Sequence, residues 1–76
     1  MTEENREEII IILDRGQEIK CECPKSVFEE VLDELRKAMT TGGLFSIDAS
    51  YDVEMYDMAG NYISALNGSK IVGYSF

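Results

Sequence analysis

From Phe45 to Met55 every second residue of this chain is apolar or aromatic: Phe45, Ile47, Ala49, Tyr51, Val53 and Met55. Between them stand Ser46, Asp48, Ser50, Asp52 and Glu54. A period of two places successive side chains on opposite faces of a strand. One face can pack on a core, while the other carries three carboxylates and no base. The pattern predicts either one bent strand over residues 44–57 or two strands that break near Ser50.

A second strand signal comes earlier. Ile9-Ile10-Ile11-Ile12-Leu13 is an unbroken aliphatic run of β-branched character, which favours a strand over a short helix. Because it does not alternate, both of its faces should be covered. Asp14-Arg15-Gly16-Gln17 reads as a tight turn. Beyond it Glu18, Lys20 and Glu22 alternate with Ile19, Cys21 and Cys23, giving a strand with one wet and one dry face. The preceding segment, Met1 to Glu8, has little to bury and is expected to be a flexible acidic arm. The domain proper is expected to be 9–76.

Pro24 should end the second strand. Ser26-Val27-Phe28-Glu29 fits a capping box, and Phe28, Val31, Leu32, Leu35 and Met39 recur at helical spacing. Acids early in this helix and bases late complement its dipole, and Asp33 with Lys37 forms an i,i+4 pair. Thr40-Thr41-Gly42-Gly43 should stop it. After the alternating stretch, Asp57 to Asn61 reads as a loop and Tyr62 to Leu66 as a strand. Asn67-Gly68 then marks a two-residue hairpin into Ser69–Phe76, with Leu66 facing Ser69 and Ile63 facing Val72. The expected fold is α+β: a predominantly antiparallel sheet with one helix on one face, in the order β-β-α-β-β-β.

Charge narrows the function. Fifteen Asp and Glu against seven Lys and Arg, with no His, give a net charge of −8 over 76 residues. Direct nucleic-acid binding is excluded on this ground, because phosphate contacts need Lys and Arg. Without His the commonest general base and metal ligand is missing. No nucleophile elbow, phosphate loop or EF-hand spacing occurs, and a flat strand does not wrap a cation. The chain is therefore read as non-enzymatic, with no metal and no cofactor. Cys21 and Cys23 are too close along a strand for an unstrained disulfide and are read as small buried hydrophobes, consistent with a reducing, cytoplasmic setting. The N-terminus carries no signal-peptide pattern, and no segment is long enough to cross a membrane.

What remains is a surface. Tyr56 should share the acidic face with Asp48, Asp52 and Glu54, with Asp57 beside it. Tyr contributes contact area at small entropy cost, and carboxylates engage Arg. These five residues are the expected contact site for a basic protein partner. In size and charge the chain resembles small acidic proteins of phages and mobile elements, some of which inhibit host nucleases by occupying basic nucleic-acid grooves. That resemblance implies a nucleic-acid mimic acting as inhibitor or regulator. Two other classes fit the composition. One is a small-ligand sequestering oligomer whose pocket is lined by Tyr62, Tyr74 and Ser64; the other is a structural subunit of a larger assembly. A single helix covers only one face of a sheet, so Ile10 and Ile12, which point away from Ile9, Ile11 and Leu13, are expected to sit in a homodimer interface. That interface would use the opposite sheet face or edge pairing of strands.

Overall fold

The computed structural model describes residues 5–46 and 52–76. Its spine is a hairpin of β1 (Arg6–Leu13) and β2 (Glu18–Pro24), closed by the expected turn with Gly16 at φ 79° and an N–H from Leu13 to the Gln17 carbonyl at 2.8 Å. Three residues read as arm, Arg6 to Glu8, are the start of β1. They pair with Pro24, Cys23 and Glu22, so a partner strand orders what composition alone leaves loose.

Pro24, with φ −62° and ψ 145°, ends β2 and is followed by a 3-10 turn, Lys25–Val27. Helix α1 then runs from Phe28 to Thr41. It starts two residues after Ser26, because the chain tightens through that turn before taking α geometry. Val31, Leu32, Leu35 and Ala38 are buried, with Phe28 and Met39 partly buried beside them. Each large aliphatic side chain so buried is worth about 1.5–3 kcal/mol before entropy. Asp33 lies 4.0 Å from Arg36. Gly42 closes the helix at φ 73°, a left-handed conformation that favours Gly, and its N–H returns to the Ala38 carbonyl at 2.9 Å.

The remaining strands are short: β3 (Leu44–Ser46), β4 (Glu54–Tyr56), β5 (Tyr62–Ile63), β6 (Ala65–Asn67) and β7 (Ile71–Ser75). Five strands form an antiparallel sheet in the order β5-β4-β2-β1-β7, and β3 pairs with β6 in a separate small sheet. The fold is α+β, with α1 packed against the sheet, as the sequence pattern indicates. Ile9, Ile11, Ile19, Cys21, Cys23 and Met55 meet Val31, Leu32 and Leu35 in one core, which also takes in Phe45, Val53, Leu66 and Ile71.

Of the two alternatives for the alternating stretch, the structure takes the two-strand one, since its described ends, β3 and β4, pair in different sheets. Two expectations in the C-terminal half are corrected. Tyr62 to Leu66 divides at Ser64 for the same reason. Asn67-Gly68 is not a hairpin turn. Asn67 has φ −81° and ψ 116°, not the positive φ a type I′ turn needs, and its side chain accepts from the Ser69 N–H at 3.1 Å to open a 3-10 turn, Gly68–Lys70. Leu66 faces Phe45 and Ile63 faces Met55, while β7 crosses to lie beside β1. Gly68 serves close packing instead. Its N–H donates to the Gly43 carbonyl at 2.7 Å, and a Cβ there would overlap the carbonyls of Ala38 and Gly43.

Candidate functional site

Residues directly opposite in a ladder share a face of the sheet. The set containing Ile9, Ile11, Cys21 and Met55 is buried under the helix side, so the alternate set forms a second, helix-free face. Its members follow from the register. Glu8 lies opposite Glu22, which lies opposite Glu54. One step along, Ser75, Ile10, Lys20, Tyr56 and Tyr62 form the next row; beyond them come Gly73, Ile12 and Glu18. Ile10 and Ile12 are half-buried at the middle of this face, opposite Lys20 and Glu18 in the ladder.

The Glu8–Glu22–Glu54 row is a like-charge arrangement, destabilising when carboxylates stand directly opposite. Two bases hold it from either side. Lys20 Nζ lies 3.3 Å from Glu8, and Arg6 Nη2 lies 3.8 Å from Glu54. Arg6 also donates from Nη1 to the Asp52 carboxylate at 3.0 Å and from Nη2 to the Asp52 carbonyl at 3.2 Å and the Glu22 carbonyl at 3.4 Å. Asp52 has φ 56°, and the Arg6 contacts meet it where the chain turns into β4. Beside the row, the rings of Tyr56 and Tyr62 meet edge to face, with centroids 5.9 Å apart. The Tyr56 hydroxyl is pushed above its ordinary pKa by partial desolvation and then by the nearby carboxylates of Glu54 and Glu22.

Of the residues expected at the contact site, Glu54 and Tyr56 lie on this face and Asp52 borders it through Arg6. Asp48 lies outside the described residues. Asp57 has another task. Its carboxylate accepts from the Ala59 N–H at 2.9 Å, the Asn61 N–H at 2.8 Å and Asn61 Nδ2 at 3.1 Å, and the Asn61 backbone and side-chain bonds hold its pKa below the ordinary value. It builds the loop between β4 and β5. Sequence reasoning missed Glu8 and Glu22. The alternation of Glu18, Lys20 and Glu22 is visible in the chain, but their alignment with Glu54 depends on β2 pairing with β4, which no local pattern discloses.

The ligand-binding alternative finds less. Tyr62 and Tyr74 stand on strands at opposite edges of the five-stranded sheet, so one protomer does not bring them to a common pocket. A cleft of about 340 Å³ opens between the β1–β2 turn and the β4–β5 loop, lined by Leu13, Ile19, Ile63 and Leu66 with Gln17 and Asp57, and neither tyrosine lines it. Among the described residues no group of three or more His, Cys, Asp and Glu is arranged to hold a metal ion, and no helix is long and apolar enough to cross a membrane. Compared with known proteins, the chain matches no family model, no curated protein and no solved structure.

Proposed function

We propose that this chain is a non-catalytic, cytoplasmic protein-binding module whose helix-free sheet face docks on the basic surface of a nucleic-acid-binding partner and inhibits or regulates it. The observation that carries the reading is the Glu8–Glu22–Glu54 row with the Tyr56–Tyr62 pair beside it. Neighbouring strands are about 4.8 Å apart, so the row presents a line of negative charge that Lys and Arg side chains can follow as they follow a phosphate backbone. The tyrosines and the half-buried Ile10 and Ile12 supply apolar contact that charge alone lacks. The two cysteines are free and buried, which fits a reducing compartment.

The test uses the protein that co-purifies with the chain from its native cell, purified in turn and titrated with wild type and with the E8Q/E22Q/E54Q triple variant. The expected result is a partner with a basic nucleic-acid-binding face, competition between this chain and double-stranded DNA, and a loss of at least about tenfold in affinity for the triple variant. Association should slow as salt rises. An acidic partner, binding indifferent to salt, or a triple variant that binds normally would each overturn the reading.

A further inference from the structure

Asn67 is exposed, and Gly68 behind it is buried. An Asn followed by Gly carries both reactants of an intramolecular reaction, since Gly has no Cβ to keep its backbone nitrogen from reaching the Asn side chain. The fold treats these two reactants in opposite ways. The side-chain carbonyl of Asn67, Oδ1, accepts from the Ser69 N–H at 3.1 Å and from Ser69 Oγ at 2.8 Å. Both donors favour the negative charge that develops on that oxygen when Cγ is attacked. The attacking nitrogen is withheld. The Gly68 N–H donates to the Gly43 carbonyl at 2.7 Å, and a Cβ at Gly68 would overlap the carbonyls of Ala38 and Gly43, so this peptide is pressed against the end of α1. The acceptor is fixed in its turn. The N–H groups of Gly42 and Gly43 donate to the Ala38 carbonyl at 2.9 Å and to Thr41 Oγ1 at 3.1 Å. Ring closure also needs Asn67 at negative ψ, which swings the Gly68 nitrogen beside Cβ; the observed ψ of 116° holds it away.

We propose that Asn67 is a self-modification site gated by the fold: it converts to isoaspartate when the Gly68–Lys70 turn leaves the end of α1, and not before. With the turn released, the Gly68 nitrogen loses its proton to water and bonds to Asn67 Cγ. The Cγ–Nδ2 bond breaks, ammonia departs and a succinimide ring remains. Water then opens the ring at one carbonyl or the other, giving aspartate or isoaspartate. The balance is one water in and one ammonia out, with no oxidation or reduction and no co-reactant besides solvent. In the isoaspartate product the main chain runs through the former side chain and is one methylene longer. Gly68 then cannot return to a site with no room for even a Cβ. β7 follows directly on this turn, so a chain that stays open long enough to react loses the packing that delivers Ile71 to the core. The step is one-way. This inference does not depend on the proposed partner, because Asn67 belongs to the separate β3–β6 sheet and not to the acidic face.

The test incubates the isolated full chain in mildly alkaline buffer, folded and in urea, and follows isoaspartate at each Asn by peptide mapping. In urea it should accumulate at Asn67 ahead of Asn5 and Asn61, which precede Arg6 and Tyr62. In the folded chain the rate at Asn67 should be at least about tenfold lower, and lower by the factor that protects the Gly68 amide from hydrogen exchange in the same buffer. A folded chain that reacts as fast as the unfolded one would overturn the gate, and so would two factors that differ by more than about tenfold in either direction. The one-way step is read with N67D, which supplies the carboxylate without the added methylene. After removal of urea, N67D should regain the protected Gly68 amide, and chains with isoaspartate at position 67 should not. Recovery by both, or by neither, would overturn that step.

Discussion

The guanidinium of Arg6 lies 3.0 Å from the carboxylate of Asp52, a residue 46 positions later in the chain. One side chain on the first strand thereby fixes the point at which the chain enters β4, and it also touches Glu54 and the Glu22 carbonyl. Removing the charge and the guanidinium fork, in R6Q, should lower unfolding free energy by about 1–2 kcal/mol, since the pair is partly exposed but the carbonyl bonds add to it. Urea denaturation at low and high salt measures this. The difference between wild type and R6Q should shrink as salt screens the pair.

Glu22 gives the opposite outcome. It stands between Glu8 and Glu54, and E22Q removes the central charge of three. The variant should be more stable than wild type by about 0.2–1 kcal/mol. On the proposed function, its affinity for a basic partner should fall at the same time. Thermal unfolding and titration of the same sample read both effects.

Two glycines on consecutive elements should respond in contrast. A Cβ at Gly68 would overlap two carbonyls at the end of α1, whereas one at Gly73 meets nothing within 4 Å. G68A should therefore cost at least about 2 kcal/mol, and G73A should stay within about 0.5 kcal/mol of wild type. Equal effects in chemical denaturation would mean that the 3-10 turn Gly68–Lys70 does not pack on the end of α1 as described.

The cysteines set a limit at alkaline pH. Burial, then the neighbouring Cys23 and Glu22, push the Cys21 thiol from an ordinary 9.0 up to about 12. The folded state thus keeps a proton that the unfolded chain releases. The stability linked to this thiol is complete below pH 9.0 and is lost as pH rises toward about 12, at up to ~1.4 kcal/mol per pH unit. C21A should flatten that decline. In the native protein both thiols should resist an aromatic disulfide reagent until the protein is unfolded.

Local signals served well wherever the relevant partner is near in sequence. The β1–β2 hairpin, the helix stripe from Val31 to Met39 and the Gly42 stop were all readable, because each rests on periodicity or on a turn residue's own geometry. The signals failed where a distant contact decided the outcome. Glu8 looks like part of a loose arm until Glu22 pairs with it, and Asn67-Gly68 looks like a hairpin until Gly68 is pressed against Ala38 and Gly43. The acidic face was half readable for the same reason. Glu54 and Tyr56 follow from alternation, but the row they join requires the order in which the strands assemble.

That order has a kinetic consequence. β1 is an interior strand, yet one of its two neighbours is β7, the last of the described strands in chain order. The β1–β2 hairpin and α1 can form from local sequence as soon as they emerge, but Ile10, Ile11 and Ile12 must wait for Gly73 to Ser75 to complete their ladder. Until then the most aliphatic strand described has a bare edge, and closing it spans the widest sequence separation of any described strand pair. Folding should proceed in two stages, an early hairpin-and-helix unit and a slower closure by the C-terminal strand, with the interval between them the period of greatest exposure to aggregation.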